Sequence, residues 1–275
     1  MSTEQNSLHA IVLKLLPKTA ATIPIGLGHQ VHAAFLKTIQ EVDAVLADEL
    51  HAPGERQRSF TVSTLQGGRR LSKEVVQLTP ERLCSLRITM LDSLLYRRLT
   101  QRLFLPQNIP SLRLGSAELL ITEMIGVPGS SPWTGYTTWE ELVKRAAPET
   151  TVTLEFATPT SFRRGDLDLP LPLPELVFGS YLAKWQAFSP IPLAPDLTEP
   201  NFFARHIGVK EHRIRTTPFC DGRVIIPGFV GRVTFLIKAV PEDLAQHINA
   251  LANFAFYAGT GRKSTHGMGM TRRAQ

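Results

Sequence analysis

The stretch from Leu8 to Leu65 reads LHAIVLKLL at 8–16, HQVHAAFLKTIQEVDAVLADEL at 29–50 and SFTVSTL at 59–65. The first segment is an apolar run rich in branched residues and predicts a strand. Pro24, Gly26 and Gly28 punctuate the loop that follows. In the second segment Val31, Phe35, Ile39, Val42 and Leu46 recur at helical spacing and make one apolar face. Ala52-Pro53-Gly54 stops that helix. The third segment alternates, as a half-buried strand does. Working outward, Arg82–Leu91 predicts a strand, Leu94–Phe104 a helix with Arg97, Arg98 and Arg102 on its polar side, and Ser116–Ile125 a strand. The resulting order, βαββαβ, is the ferredoxin-like (RRM-like) signature. The first domain is expected over residues 1–126.

The second half, residues 127–275, is expected to be another, decorated βαββαβ unit. Thr138–Ala147 predicts a helix with Thr138 as N-cap and Glu141 three residues on. A strand over 152–157, a loop over 159–174, a helix over 175–188 and a proline-rich stretch over 190–200 follow. Strands over 212–218 and 223–237, a helix over 241–252, a short strand FAFYA and a glycine-rich terminus complete it. The fold class is α+β, with two tandem ferredoxin-like domains.

Of 275 residues, 43% are hydrophobic and 20% charged, the composition of a soluble globular chain with a real core. No apolar run approaches the roughly 20 residues of a membrane-spanning helix. The start, MSTEQNSLHAIVLKLLP, has no basic n-region and its apolar run is broken by Lys14, so a signal peptide is not expected and a cytoplasmic location is. Cys84 and Cys220 stand far apart and form no CxxC motif, which argues against a disulfide scaffold and a cysteine zinc site. A net charge of +6 favours polyanionic partners.

The most chemical local feature is Gly259-Thr-Gly-Arg-Lys-Ser-Thr-His-Gly-Met-Gly269, with four glycines and two cations in eleven positions. Glycine lets backbone N–H groups approach a phosphate closely. Gly259, Gly261, Gly267 and Gly269, with the charges of Arg262 and Lys263, are therefore candidate phosphate contacts. The GxxxxGK[ST] spacing of a Walker loop is absent, and GxGxxG fails at its third glycine.

Five segments in order carry a resemblance. They are GHQVHAAFLKTIQEVDAVLADELH (28–51) with FTVSTL (60–65), VTLEFATPTSFR (152–163), PLPLPELVFGSYLAKWQAF (170–188), PGFVGRVTFLI (227–237) and FAFYAGTGRKSTHGMGM (254–270). Together they resemble the CRISPR-associated repeat endoribonucleases, the Cas-six family of the repeat-associated RNA-binding superfamily. The resemblance implies an endoribonuclease that needs no metal or other cofactor. Such an enzyme cuts CRISPR precursor RNA within repeat hairpins and leaves a 2′,3′-cyclic phosphate and a 5′-hydroxyl. It implies repeat stem-loop RNA as partner, a CRISPR effector complex as a further one, and a monomer or homodimer.

Metal-free RNA cleavage needs a base for the 2′-hydroxyl, an acid for the 5′-oxygen and cations for the phosphorane. Histidine suits the first two near neutral pH. His51 stands where the family usually carries its catalytic histidine. His32 and His29 lie in the first turn of the preceding helix, one turn apart. Some relatives place a tyrosine near this point. None of this chain's four tyrosines is there, so a two-histidine arrangement is expected. One objection is geometric: an unbroken helix between His32 and His51 spans roughly 25 Å. Either the helix breaks near Glu41-Val42-Asp43 and doubles back, or only one of the two is catalytic. Arg56 and Arg58, Arg163 and Arg164 are candidate phosphate contacts, and Ser63 a weaker one. His29 and His32 with Asp48 or Glu49 are the nearest approach to a metal site, and no HExxH or paired-carboxylate motif accompanies them. The rival readings are a catalytically silent RNA-binding subunit and an unrelated enzyme gripping a small phosphate ligand.

Overall fold

The computed structural model describes residues 7–51, 57–104 and 109–274. It divides into two compact units, 1–136 with 220–224, and 137–219 with 225–275. In the first, β1 (Ser7–Pro17) is followed by β2 (Ala21–Pro24), α1 (Gly28–Gln40), α2 (Ala44–His51), β3 (Phe60–Val62), β4 (Arg69–Arg70) and β5 (Val75–Leu78). Then come β6 (Cys84–Met90), α3 (Ser93–Phe104), β7 (Ser111–Leu114) and β8 (Ala117–Ile125), and β9 (Gly135–Thr138) leads out. The main sheet runs β3-β6-β1-β8-β7. Without the outer β7 this is the ferredoxin-like order, with the first and third core strands adjacent at the centre. β1 pairs antiparallel with β6 from His9↔Met90 to Leu15↔Cys84. Its other edge pairs with β8 across a bulge at Lys14/Leu15. Val31, Phe35 and Ile39 of α1 and Leu95 and Leu99 of α3 close the core over Leu13, Leu86 and Ile88.

The helix predicted over 29–50 breaks near Glu41–Asp43, one of the two alternatives the sequence left open, and is two helices. The amides of Val42 and Asp43 both donate to the carbonyl of Ile39, at 3.0 and 2.8 Å, which ends α1. Asp43 Oδ1 then accepts from the amide of Leu46 at 3.0 Å and opens α2. An aspartate three residues ahead of the amide it caps is a helix start, and here it overrides a continuous apolar period. The strand predicted over 59–65 shortens to Phe60–Val62, and an unforeseen small sheet, β2-β5-β4, stands beside it.

The second unit holds α4 (Trp139–Lys144), β10 (Thr151–Thr160), β11 (Phe162–Arg164), β12 (Leu167–Leu169), α5 (Pro174–Phe188), α6 (Phe202–His206), β13 (Ile207–Asp221), β14 (Val224–Ile237), α7 (Glu242–Ala258) and β15 (Thr271–Arg273). Its sheet runs β13-β14-β10-β15, the ferredoxin-like order again. The capping box at Thr138 and Glu141 forms as predicted. The predicted strand FAFYA is instead the last turns of α7. Leu251, Phe254, Ala255 and Ala258 continue the helical stripe and are all buried, and packing of that stripe outweighs the strand preference of its aromatics. Phe254 packs on Trp139 and Trp185, ring centroids 5.0 and 5.3 Å away. The strand at that edge of the sheet is β15.

Candidate active site

α1 begins without a side-chain cap of its own: Leu27 is the N-cap and the first turn holds no acidic residue. Four orphan amides at such an end need partners. One comes from far along the chain. The amide of His29 donates to Asp221 Oδ1 at 2.9 Å. Asp221 is held there by its own backbone, through a bridge to Leu27 and a bond from the Gly222 amide to the carbonyl of Gly26 at 3.0 Å. Gly222 carries φ +64° at this turn. The Asp221 side chain is 4% exposed, and its Oδ1 also faces His29 Nδ1 at 3.6 Å. The carboxylate thus faces one edge of the imidazole. The His29 side chain itself is 54% exposed.

His32 lies one turn on and is half-buried. Its ring stacks on Phe60 at 5.6 Å, and Phe60 packs on Phe35 at 4.6 Å, so β3 and α1 fix the plane of the imidazole. His51 is the last residue of α2 and is exposed. α2 packs against α1. The elbow between the helices is clamped from α3. Arg98 Nε donates to Asp43 Oδ2 at 2.8 Å and Arg102 Nε to Glu41 Oε2 at 2.6 Å. The amide of Leu46 and then the Arg98 guanidinium hold the Asp43 carboxyl below the usual carboxylate range. Arg98 and Arg102 are thus tied into the fold, while Arg97 is exposed.

Of the other predicted contacts, Arg56 lies outside the described residues and Arg58 is half-buried. Ser63 is buried, with its hydroxyl donating to the carbonyl of Thr64 and accepting from the amide of Arg87, both at 2.9 Å. Arg163 and Arg164 sit on the β11–β12 hairpin. Arg163 is 3.6 Å from Asp166 and 3.8 Å from Asp168, and Arg164 is exposed. Arg262 pairs with the same Asp168.

The glycine-rich segment is a packed element. Gly259, Gly261, Gly267 and Gly269 all have positive φ, between +65° and +107°. A Cβ at Gly269 would stand 2.0 Å from the carbonyl of Thr260, and one at Gly261 2.3 Å from that of Ser161. The amides of Gly259 and Gly269 donate inside the protein, to Ala255 and Pro159 at 3.0 Å each, so these two glycines act through conformation. Tyr181 hydroxyl meets Thr260 Oγ1 at 2.6 Å, and Thr260 reaches Thr271 at 2.7 Å. Lys184, buried, donates to the carbonyl of Ala258 and to Ser264 Oγ. Burial pushes its ammonium down to about 8. Arg262, Lys263 and His266 are the cationic or imidazole side chains the segment leaves half-open.

Two family models match. That of the Cas6 N-terminal domain covers residues 8–144, and that of the CRISPR-associated endoribonuclease Cas6 covers 154–271. The chain belongs to the Cas6 family. It is 34% identical over 133 residues to the CRISPR-associated endoribonuclease Cas6 of Mycobacterium tuberculosis, covering 46% of this chain and 40% of that protein. It is 28% identical over 123 residues to the Cas6 of Streptococcus thermophilus, with 44% and 49% covered. The chain thus spans less than half the length of the curated relatives it matches. Among solved structures it resembles a Cas6 product complex, with TM-score 0.82 and 28% identity over 98% of this chain and 100% of the other. A Cas6 substrate mimic complex follows at 0.73 and 29%, covering 98% and 99%. Thermus thermophilus Cas6 gives 0.72 and 27%, again covering 98% and 99%.

Within this Cas6 framework, Asp221 is the residue the sequence reading missed, and Asp43 it named only as part of a helix break, not as the cap of α2. Asp221 has no local signal, since it meets His29 across 192 positions. Asp43 had one: an aspartate followed three residues later by an apolar residue that starts a new buried stripe. Among the described residues, no group of three His, Cys, Asp or Glu side chains is placed to hold a metal ion.

Proposed function

We propose that this Cas6-family chain cuts CRISPR precursor RNA within its repeat hairpins, by attack of a 2′-hydroxyl on the adjacent phosphate without a metal ion. The products are a 2′,3′-cyclic phosphate and a 5′-hydroxyl. The break between Gln40 and Ala44 carries this reading. It interrupts the single straight helix that would hold His32 and His51 apart, and with α2 packed on α1 it supports a two-histidine arrangement. His51 is the general acid or base and His32 its partner, each suited to proton transfer near neutral pH. His29, oriented by Asp221, is the third imidazole of the group. Arg56 and Arg58 steady the phosphorane charge. Arg163, Arg164, Arg262 and Lys263 contact RNA phosphates, with Gly261 and Gly267 shaping the backbone beside them.

The test is cleavage of a labelled repeat hairpin in EDTA by the wild type and by His51→Ala. A single wild-type cut ending in a cyclic phosphate, with a loss of roughly 10²–10⁴-fold in the variant and unchanged binding, is expected. Tight binding without a cut by either protein means a silent RNA-binding subunit. A cut that survives in the variant moves the chemistry to His32 and His29.

A further inference from the structure

A cavity of about 370 Å³ lies between α1 and the small sheet β2-β5-β4. That volume is in the range of small-ligand sites. Ile23, Val31, Leu65 and Val76 give it apolar walls, and Thr64, Gln66 and Arg70 line it with polar groups. Gly67 and Gly68 complete it with positive φ, +106° and +76°. A Cβ at Gly68 would come 2.5 Å from Val76 Cγ1, so the backbone there lies directly on the sheet.

Three observations say what such a slot takes. The walls are apolar, which suits the face of an aromatic ring. A cation stands at the polar side: Arg70 of β4 lines the cavity and is exposed, as is its neighbour Arg69, which suits a sugar-phosphate left outside. Gln66 Nε2 donates to Thr64 Oγ1 at 2.9 Å, which leaves Oε1 to accept from an exocyclic amine. The position adds a fourth. Gly28 and Val31, which line the cavity, stand on the same turn of α1 as His29 and His32.

We infer that this cavity is a subsite for one unpaired nucleobase with an exocyclic amine, adenine or cytosine, in a nucleotide near the cut. The inference rests on the ribonuclease reading above. It adds a base-reading element to a site so far described through phosphate contacts.

The experiment is an abasic scan of the unpaired positions flanking the repeat stem, read by cleavage rate, in the wild type, Gln66→Ala and Val76→Trp. Thermal melts check that each variant is folded. One abasic position is expected to slow the wild type about ten-fold, in line with the loss of a single stacked base. In the variants, intact and abasic RNA are expected to react alike. A flat scan in the wild type, or a position effect that persists in both folded variants, overturns the subsite. A second measurement separates this failure from failure of the ribonuclease reading: thermal stabilisation by millimolar adenosine or cytidine 5′-monophosphate. Stabilisation that Gln66→Ala removes, with no RNA cut, keeps the subsite and ends the ribonuclease reading. Cleavage with a flat scan and no stabilisation keeps the enzyme and ends the subsite.

Discussion

The elbow between α1 and α2 and the glycine-rich segment after α7 are the two regions from which function is read, and they are built in opposite ways. The glycine segment is rigid by backbone: four positive-φ glycines, donated amides and a buried Tyr181–Thr260–Thr271 chain hold it. The elbow and the start of α1 are assembled from side chains. Asp43 starts α2, Arg98 and Arg102 clamp the turn, and Asp221 completes the start of α1. The contrast teaches that the most conspicuous motif works largely through its shape. The histidines depend on partners that no motif announces.

Substitutions that strike one region and spare the other sharpen this contrast. Gly269→Ala is expected to have the largest effect on stability. It imposes a side chain at φ +70° and 2.0 Å from a carbonyl oxygen. A loss of about 3 kcal/mol and a fall of roughly 5–10 °C in Tm are expected by calorimetry. A loss under about 0.5 kcal/mol would mean the segment is loose and the contrast false. Asp221→Ala is expected to act mainly on catalysis, lowering the cleavage rate about 10–100-fold, as removal of an orienting carboxylate does. Asp221→Asn keeps an acceptor for the His29 amide and is expected to recover part of the loss. Equal rates in all three proteins would remove Asp221 from the site.

Smaller effects follow at the elbow. Asp43→Ala removes the cap of α2 and is expected to cost about 1 kcal/mol. Because α2 carries His51, its cleavage rate should fall while binding of the repeat hairpin holds. An unchanged rate would show that the elbow positions nothing catalytic. The smallest effect at neutral pH is expected at His9, which stacks on Tyr96 at 3.7 Å and is pushed down to about 4 by burial. The unfolded chain takes up this proton nearer the ordinary histidine value of 6.5, so stability is full above that pH and is lost as pH falls from 6.5 toward 4. His9→Phe keeps a stacked ring and is expected to flatten that acid limb in pH-dependent melts.

Much of this was legible in the residues. Strand and helix order followed from periodicity, because burial of one face leaves its period in the chain. The ferredoxin-like order of both units, the capping box at Thr138 and the glycine segment were each read locally. The errors share a cause. FAFYA looks like a strand when its five residues are taken alone, and becomes helix because Phe254 has Trp139 and Trp185 to pack on. Arg98 and Arg102 look like a solvated face, and are clamps because Asp43 and Glu41 stand opposite them.

The sequence by itself thus settled the class of fold, the family resemblance and the types of residue available for chemistry, since each is carried by spacing within a few turns. Tertiary structure decided which side chains meet. The His29–Asp221 contact joins positions 192 residues apart. No local propensity encodes such a contact, because it exists only once both segments have been brought together by the burial of other residues.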